Sequence, residues 1–263
     1  MAAGMAARTV PAKKNLAVLH PGERTNAEGK QVCNQILLSI PDEEFNVLRP
    51  HLKYVDMPHH LSLYEPNQKI ESAYFPNCGM ISLVVVMENG RTVEVGVAGK
   101  EGFSGAAAAV GLTRSTVREV VQIAGDGFQI GTSNLQSVLR NAPKLQNVMS
   151  RCAVILGMQV AQTAACNRMH SVEQRLARWL LVTQDRVDAG ALPITHDFLA
   201  TMLGTDRPSV SLAASGMQAN GILQYTRGAV KVLNRKKLEE CACECYQSIQ
   251  QFNGELNLRK NLP

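Results

Sequence analysis

The period of the hydrophobic pattern changes at Gly131, and this change constrains the fold more than any other feature of the chain. Upstream, apolar residues recur at every second position in short runs; downstream, they recur every three to four. Ile81–Met87 and Thr92–Val97 flank Glu88-Asn89-Gly90-Arg91, and Asn-Gly between two β-rich runs predicts a hairpin. In the second run Val93, Val95 and Val97 alternate with Thr92, Glu94 and Gly96. One face is therefore expected to be apolar and the other polar, as in a half-buried antiparallel strand. Val117–Ile123 supplies a further strand, and several short strands between turns predict a small rolled or closed sheet. Before them, Ser39–Leu48 reads as one short helix, with Pro41 early and Asp42, Glu43 and Glu44 in its first turn. The first 30 residues carry no sustained period and read as a flexible tail.

Beyond Gly131 the only proline up to Asp188 is Pro143. Leu145, Val148, Cys152, Ile155, Gln159 and Cys166 recur at helical spacing, which predicts one long amphipathic helix over Leu145–Cys166. A stripe on a helix of this length is either a core face or a seam between two subunits. Because the helix joins two dissimilar halves of the chain, the seam is the expectation. Pro193 closes this region, and Thr195 and Asp197 can cap a helix through Phe198, Leu199 and Met202. Gly204 turns the chain, Asp206-Arg207-Pro208-Ser209 opens a second helix, and Asn220-Gly221 ends it. Ile222–Thr226 and Ala229–Leu233 then form a hairpin around Arg227-Gly228. Helix, turn, helix, hairpin is a winged helix-turn-helix.

Charge agrees with that reading. Between Leu192 and Lys237 lie Arg207, Arg227, Lys231, Arg235, Lys236 and Lys237 against only Asp197 and Asp206, most of the chain's net charge of +5. Positive charge gathered in one segment is the footprint of a polyanion partner or, as readily, a solvated basic face. A hydrophobic fraction of 45% excludes wholesale disorder, and seven cysteines, an odd number, exclude complete disulfide pairing. The longest apolar stretches, Gly105–Leu112 and Ile81–Met87, are too short to span a bilayer. Arg8, Pro11, Lys13 and Lys14 interrupt any signal-peptide core. A cytoplasmic protein without membrane contact is expected. No phosphate-binding loop, dinucleotide fingerprint or nucleophile elbow is present. Cys241, Cys243 and Cys245 match no usual zinc spacing and read as surface or packing thiols, although Cys241 and Cys245 would share a face if helical. His59-His60 followed by Glu65 raises a metal-dependent barrel enzyme as an alternative, but neighbours on a strand point to opposite faces. Neither an enzyme, a metal nor a cofactor is expected.

Two groups of motifs carry a resemblance. The first is Tyr74-Phe75-Pro76, Gly79-Met80-Ile81-Ser82, Glu94-Val95-Gly96-Val97 and Gly99-Lys100-Glu101-Gly102; the second is Val172-Glu173-Gln174-Arg175-Leu176-Ala177-Arg178-Trp179-Leu180-Leu181 with the helix-turn-helix after it. Over residues 33 to 237 the sequence resembles the Crp/Fnr family of bacterial transcription regulators. The resemblance implies an α+β protein with a cyclic-nucleotide-binding-like β-roll (jelly roll) at 31–133 and a dimerisation helix at 134–168. A winged helix-turn-helix at 169–237 and a C-terminal helix and tail at 238–263 would follow. It implies a homodimer on a near-palindromic site in double-stranded DNA, with RNA polymerase as a further candidate partner. Arg207 would read guanine, and Ser209 and Ser211 would reach a base or a phosphate. Thr195, Thr205, Arg227 and Lys231 would contact phosphates. Pro208 and Leu212 stand where the cyclic-AMP-binding members carry a glutamate and a second arginine, so the operator should differ. Gly102, Phe103, Ser104, Arg114 and Ser115 would form the effector site. Ser104 replaces that family's glutamate, and Val160 and Ala161 replace hydroxyl residues at the base. The nucleotide site therefore reads as degenerate, and any effector as unidentified. A nucleotide-binding module serving a partner protein is the second reading, against which the helix-turn-helix speaks.

Overall fold

In the computed structural model, residues 24–187, 190–226, 228–256 and 258 are described. Chain entry is less loose than its composition implies. Asn26 is fully buried; its carboxamide oxygen accepts from the amides of Glu28 and Lys30, and its nitrogen donates to the Leu52 carbonyl. Residues 24–30 are thus a packed turn, while the rest of the expected tail lies outside the described residues. The expected single helix at Ser39–Leu48 is two: α1 (Gln35–Ser39) and α2 (Asp42–Leu48). Pro41 disfavours helical backbone at Ile40, whose ψ is 157°.

Strands β1 (Lys53–Met57), β2 (Ser62–Tyr64), β3 (Ser72–Pro76), β4 (Met80–Val86) and β5 (Thr92–Ala98) follow. The short helix α3 (Ala106–Ala109) precedes β6 (Arg118–Ile123) and β7 (Gly125–Gly131). They make two antiparallel sheets, ordered β1-β7-β3 and β2-β6-β4-β5. Met57, Leu63, Ile81 and Val121 join the sheets through a small shared core. The predicted hairpin is β4–β5, closed from Val86 to Thr92 with Gly90 at φ 79°. At Gly79, φ is 80° and a Cβ would lie 2.6 Å from the Ile123 carbonyl, so only glycine fits.

Helix α4 (Thr132–Leu139) leads into α5 (Pro143–Met169), 27 residues long and entered through Pro143. Its predicted stripe is inside the protomer, which corrects the expected seam. Leu145, Met149, Cys152 and Ile155 pack with Phe75, Phe103 and Phe128, and Gln159 is bonded at 2.6 Å to Asn253 of the C-terminal helix α10 (Cys245–Glu255). The opposite face is apolar and open. Val154 is 64% exposed, Met158 44% and Met169 76%, with exposed Gly157, Ala161, Ala164 and Ala165 between them.

Ser171 caps α6 (Val172–Gln184) in a reciprocal pair with Gln174. Then come α7 (His196–Leu203), α8 (Arg207–Ala219), the hairpin β8 (Leu223–Thr226) and β9 (Ala229–Val232), and α9 (Arg235–Cys241). The core of this C-terminal half is continuous with the outer face of the β4–β5 sheet: Met80, Val84, Val97 and Ile123 share a cluster with Leu176, Trp179, Leu203 and Met217. That packing overturns the polar face expected of β5. Glu94 is buried, and Gly96 lies under α5, where an added Cβ would be 3.2 Å from Leu156. Among the described residues no helix is long and apolar enough to cross a membrane.

Candidate nucleic-acid interface

Every boundary of the helix-turn-helix has a local cause. The Thr195 hydroxyl accepts from the Phe198 amide and starts α7; Gly204, at φ 61°, ends it. The Asp206 carboxylate accepts from both the amide and the hydroxyl of Ser209 and starts α8, with Pro208 in the first turn. Those two bonds hold the Asp206 carboxyl below the usual carboxylate range. Val210, Ala214 and Met217 turn inward onto Leu199 and Leu203. Arg207, Pro208, Leu212 and Ser215 are left facing outward.

The expected contact residues therefore divide. Arg207 is at the free end of α8, 65% exposed, and its only charge partner among the described residues is the equally open Asp197 at 3.3 Å. Exposed pairs of this kind are worth at most about 1 kcal/mol, so the guanidinium is free to leave for a stronger partner. Ser209 spends its hydroxyl on the cap. Ser211 turns toward α7, where its hydroxyl lies 2.9 Å from Nδ1 of His196. His196 in turn packs edge-on against Tyr225, with ring centroids 4.4 Å apart. Burial, then the nearby positive charge of Arg207, hold the His196 imidazole below its ordinary pKa. Thr195 and Lys231 are exposed and Thr205 is half-buried; Lys231 pairs with Gln224 across the β8–β9 wing. Arg227 lies outside the described residues. Leu212, 78% exposed, is a large apolar side chain left open on the same outward face of α8.

The expected effector residues are each engaged by other parts of the chain. Arg114 is exposed and donates at 2.5 Å to the Asn67 carbonyl. Ser115 donates to Val117 at 2.6 Å. Gly102 and the buried Phe103 pack into the core beneath α5, and Asn34 donates to the Gly102 carbonyl. At the start of α3, a carboxylate from within already occupies the donors: Glu119 of β6 accepts from the Ser104 hydroxyl and, at 3.2 Å, from the Gly105 amide. Burial raises the Glu119 pKa, while these two bonds pull it down. His59 and His60 sit in a turn rather than on a strand, their rings stacked at 3.7 Å. Glu65 is committed to Arg118 at 2.9 Å, away from them.

The two motif groups meet each other. Trp179 donates its indole N–H to Glu94 at 2.6 Å, and Ser82 donates to the other carboxylate oxygen. Arg186, after α6, pairs with Glu101 at 2.7 Å with its side chain 2% exposed. Arg175 donates at 2.9 Å to the Leu203 carbonyl, at the C-terminal end of α7. The helix-turn-helix is thus held to the β-roll by side chains from both motifs.

A family model described as a Crp-like helix-turn-helix domain matches residues 174–241. No curated protein matches the chain at the level of sequence. Among solved structures, the c-di-GMP-responsive global regulator CLP of Xanthomonas campestris aligns with a TM-score of 0.61 at 17% identity, over 74% of this chain and 100% of that one. FixK2 of Bradyrhizobium japonicum aligns with a TM-score of 0.60 at 15% identity, over 73% and 98%. A CRP/FNR-family transcriptional regulator of Thermus thermophilus aligns with 0.51 at 20% identity, over 72% and 98%. The chain thus carries a Crp-like helix-turn-helix domain over residues 174–241, and it shares the fold of the Crp/Fnr-family structures across both halves.

Proposed function

We propose that this protein regulates transcription as a homodimer that reads a near-palindromic operator through α8. The observation that carries the reading is the outward face of α8, where Arg207 opens the capped first turn and Leu212 projects further along the helix. A guanidinium can bond O6 and N7 of guanine together, and an open leucine offers an apolar contact to a thymine methyl. Lys231 on the wing and Thr195 at the start of α7 supply phosphate contacts that set register; Thr205 and Arg227 are assigned the same role, and Ser209 supports α8 through its cap. Arg207→Ala should cost about 1–3 kcal/mol at its base and relax specificity there, whereas Lys231→Ala should weaken all sequences alike and reduce the salt slope by about one. Both are read by competition binding on a panel of operator variants. An identical ranking of the panel by wild type and Arg207→Ala removes the base-reading role.

The exposed stripe Val154, Met158, Ala161 and Ala165 on α5 supports the dimer. These residues recur every three to four positions, and the small ones allow a second helix to approach closely. Two recognition helices related by a two-fold axis would then face the DNA about 34 Å apart.

For the β-roll we propose that Glu119 replaces an external anion at the start of α3. Cyclic AMP would meet Ser104 and Glu119 at the sugar and phosphate, and apolar Val160 and Ala161 at the base. A buried polar group left without a partner costs about 1–3 kcal/mol, and two such losses lower affinity by several powers of ten. Titration calorimetry should give binding no tighter than roughly millimolar. A micromolar constant with a matching rise in DNA affinity would overturn this reading.

A further inference from the structure

Of the three cysteines beyond the helix-turn-helix, Cys241 is half-buried, whereas Cys243 and Cys245 are packing thiols. α9 ends at Cys241 and α10 begins at Cys245, so these two do not share a helix face. Instead Cys243, in the connection, and Cys245 are buried against Cys166 of α5. His170, the residue that ends α5, completes the group: one donor atom from each of Cys166, His170, Cys243 and Cys245 lies within 4.8 Å of all the others.

We propose that these four residues form a mononuclear metal site for zinc or a similarly soft divalent cation. The argument is geometric. Zn–S bonds of about 2.3 Å and Zn–N bonds of about 2.0–2.1 Å in a tetrahedron separate two sulfurs by roughly 3.8 Å and a sulfur from a nitrogen by roughly 3.6 Å. Here Cys166 Sγ and Cys243 Sγ are 3.5 Å apart, and Cys245 Sγ and His170 Nδ1 are 3.6 Å apart. Three thiolates and one imidazole are a known structural zinc set and leave no open position, so the role is to hold structure rather than to catalyse. The outer contacts agree. If Nδ1 binds the metal, Nε2 carries the proton and faces the Glu244 carboxylate at 3.2 Å, the arrangement that fixes and strengthens a ligating histidine. The Gln162 amide donates to Cys245 Sγ at 3.1 Å. An iron–sulfur cluster fits less well, because ligands of different irons stand further apart than the 4.8 Å within which all four donor atoms lie here.

Placement gives the site a consequence. Two ligands belong to the last turn of the long helix and two to the segment after the wing, so the cation would tie that segment across the Ser171 junction between β-roll and DNA-binding halves.

The test uses the full-length protein purified under reducing conditions and loaded with zinc or cobalt alone, with no DNA present. Its outcome is therefore independent of the DNA-binding proposal. Wild type should retain about one cation per chain after gel filtration, and the cobalt form should show the visible absorption of a tetrahedral thiolate centre. Cys243→Ser and His170→Ala should lose most of the metal, whereas Cys241→Ser and Cys78→Ser should keep it. Should a variant fold poorly, alkylation of wild type with and without a chelator, mapped by mass spectrometry, decides: zinc should slow the reaction of Cys166, Cys243 and Cys245 relative to the chelated protein and leave that of Cys33, Cys78 and Cys241 unchanged. Unshielded cysteines, octahedral cobalt, or full metal content in Cys243→Ser would overturn the site.

Discussion

Replacing Val154 by aspartate is expected to leave a folded monomer that no longer holds its operator. Val154 is 64% exposed in the protomer, so the charge meets water and the fold survives. In the dimer the same carboxylate would lie against its own copy in a desolvated seam, and burying unpaired like charges there is prohibitive. Two linked half-sites bind more tightly than one by roughly 10²–10⁴-fold, and the monomer should lose that factor. Light scattering and operator titration read the two effects, with circular dichroism as the control for folding. Ile155→Asp, one residue away, should behave differently: Ile155 is 7% exposed within the β-roll core, and the charge there should unfold the chain. A Val154→Asp protein that remains dimeric would place the seam elsewhere.

The second large effect is a dependence on pH at the junction of the two halves. Burial raises the Glu94 carboxyl to about 7, against the bonds from Ser82 and Trp179 and the charges of Arg178 and Arg186, which pull it down. A folded-state pKa above the unfolded one means that the native contact binds the proton more tightly. Its stability is complete below about 4.5, declines through the interval, and is lost as pH rises past about 7. That interval corresponds to something on the order of 3 kcal/mol. Glu94→Gln keeps an acceptor for Trp179 and removes the titration, so its stability should vary less between about pH 5 and pH 8 than that of wild type. Trp179 is the single tryptophan of the chain, so denaturant unfolding followed by its emission reports this contact directly. Parallel pH profiles for wild type and Glu94→Gln would show that the carboxyl does not titrate there.

Local chemistry is what the sequence exposes most clearly. Asn89-Gly90, Thr195, Gly204, Asp206-Arg207-Pro208 and Gly221 each act within a few residues, and each turn or cap stands where its residue types demand. What was not legible depends on which surface comes to cover which. Alternation along β5 puts Glu94 and Val97 on opposite faces but cannot foresee the register shift at Val95, nor that Trp179 of α6 will pack with both, so Glu94 reads as exposed. The stripe on α5 had the right spacing for a seam, yet the roll and α10 claim it and leave Val154 and Met158 outside. Among the site residues, Arg207 and the caps could be found from sequence. Ser211 could not, because its direction is set by His196 on another helix. Cys166 and Cys243 are 77 positions apart, and no spacing rule brings them together.

The merged core also bears on the order in which the chain leaves the ribosome. Met80, Val84, Val97 and Ile123 find their cover only in residues from Leu176 onward, and the Glu94–Trp179 bond spans 85 positions. While the second half is still being synthesised, a nascent β-roll would present this apolar sheet, with a carboxyl that still lacks its Trp179 partner, to its surroundings. Exposed surfaces of that kind recruit chaperones or self-associate. A polypeptide terminated after α5 should therefore be less soluble than the full chain, even though it contains every strand of the roll.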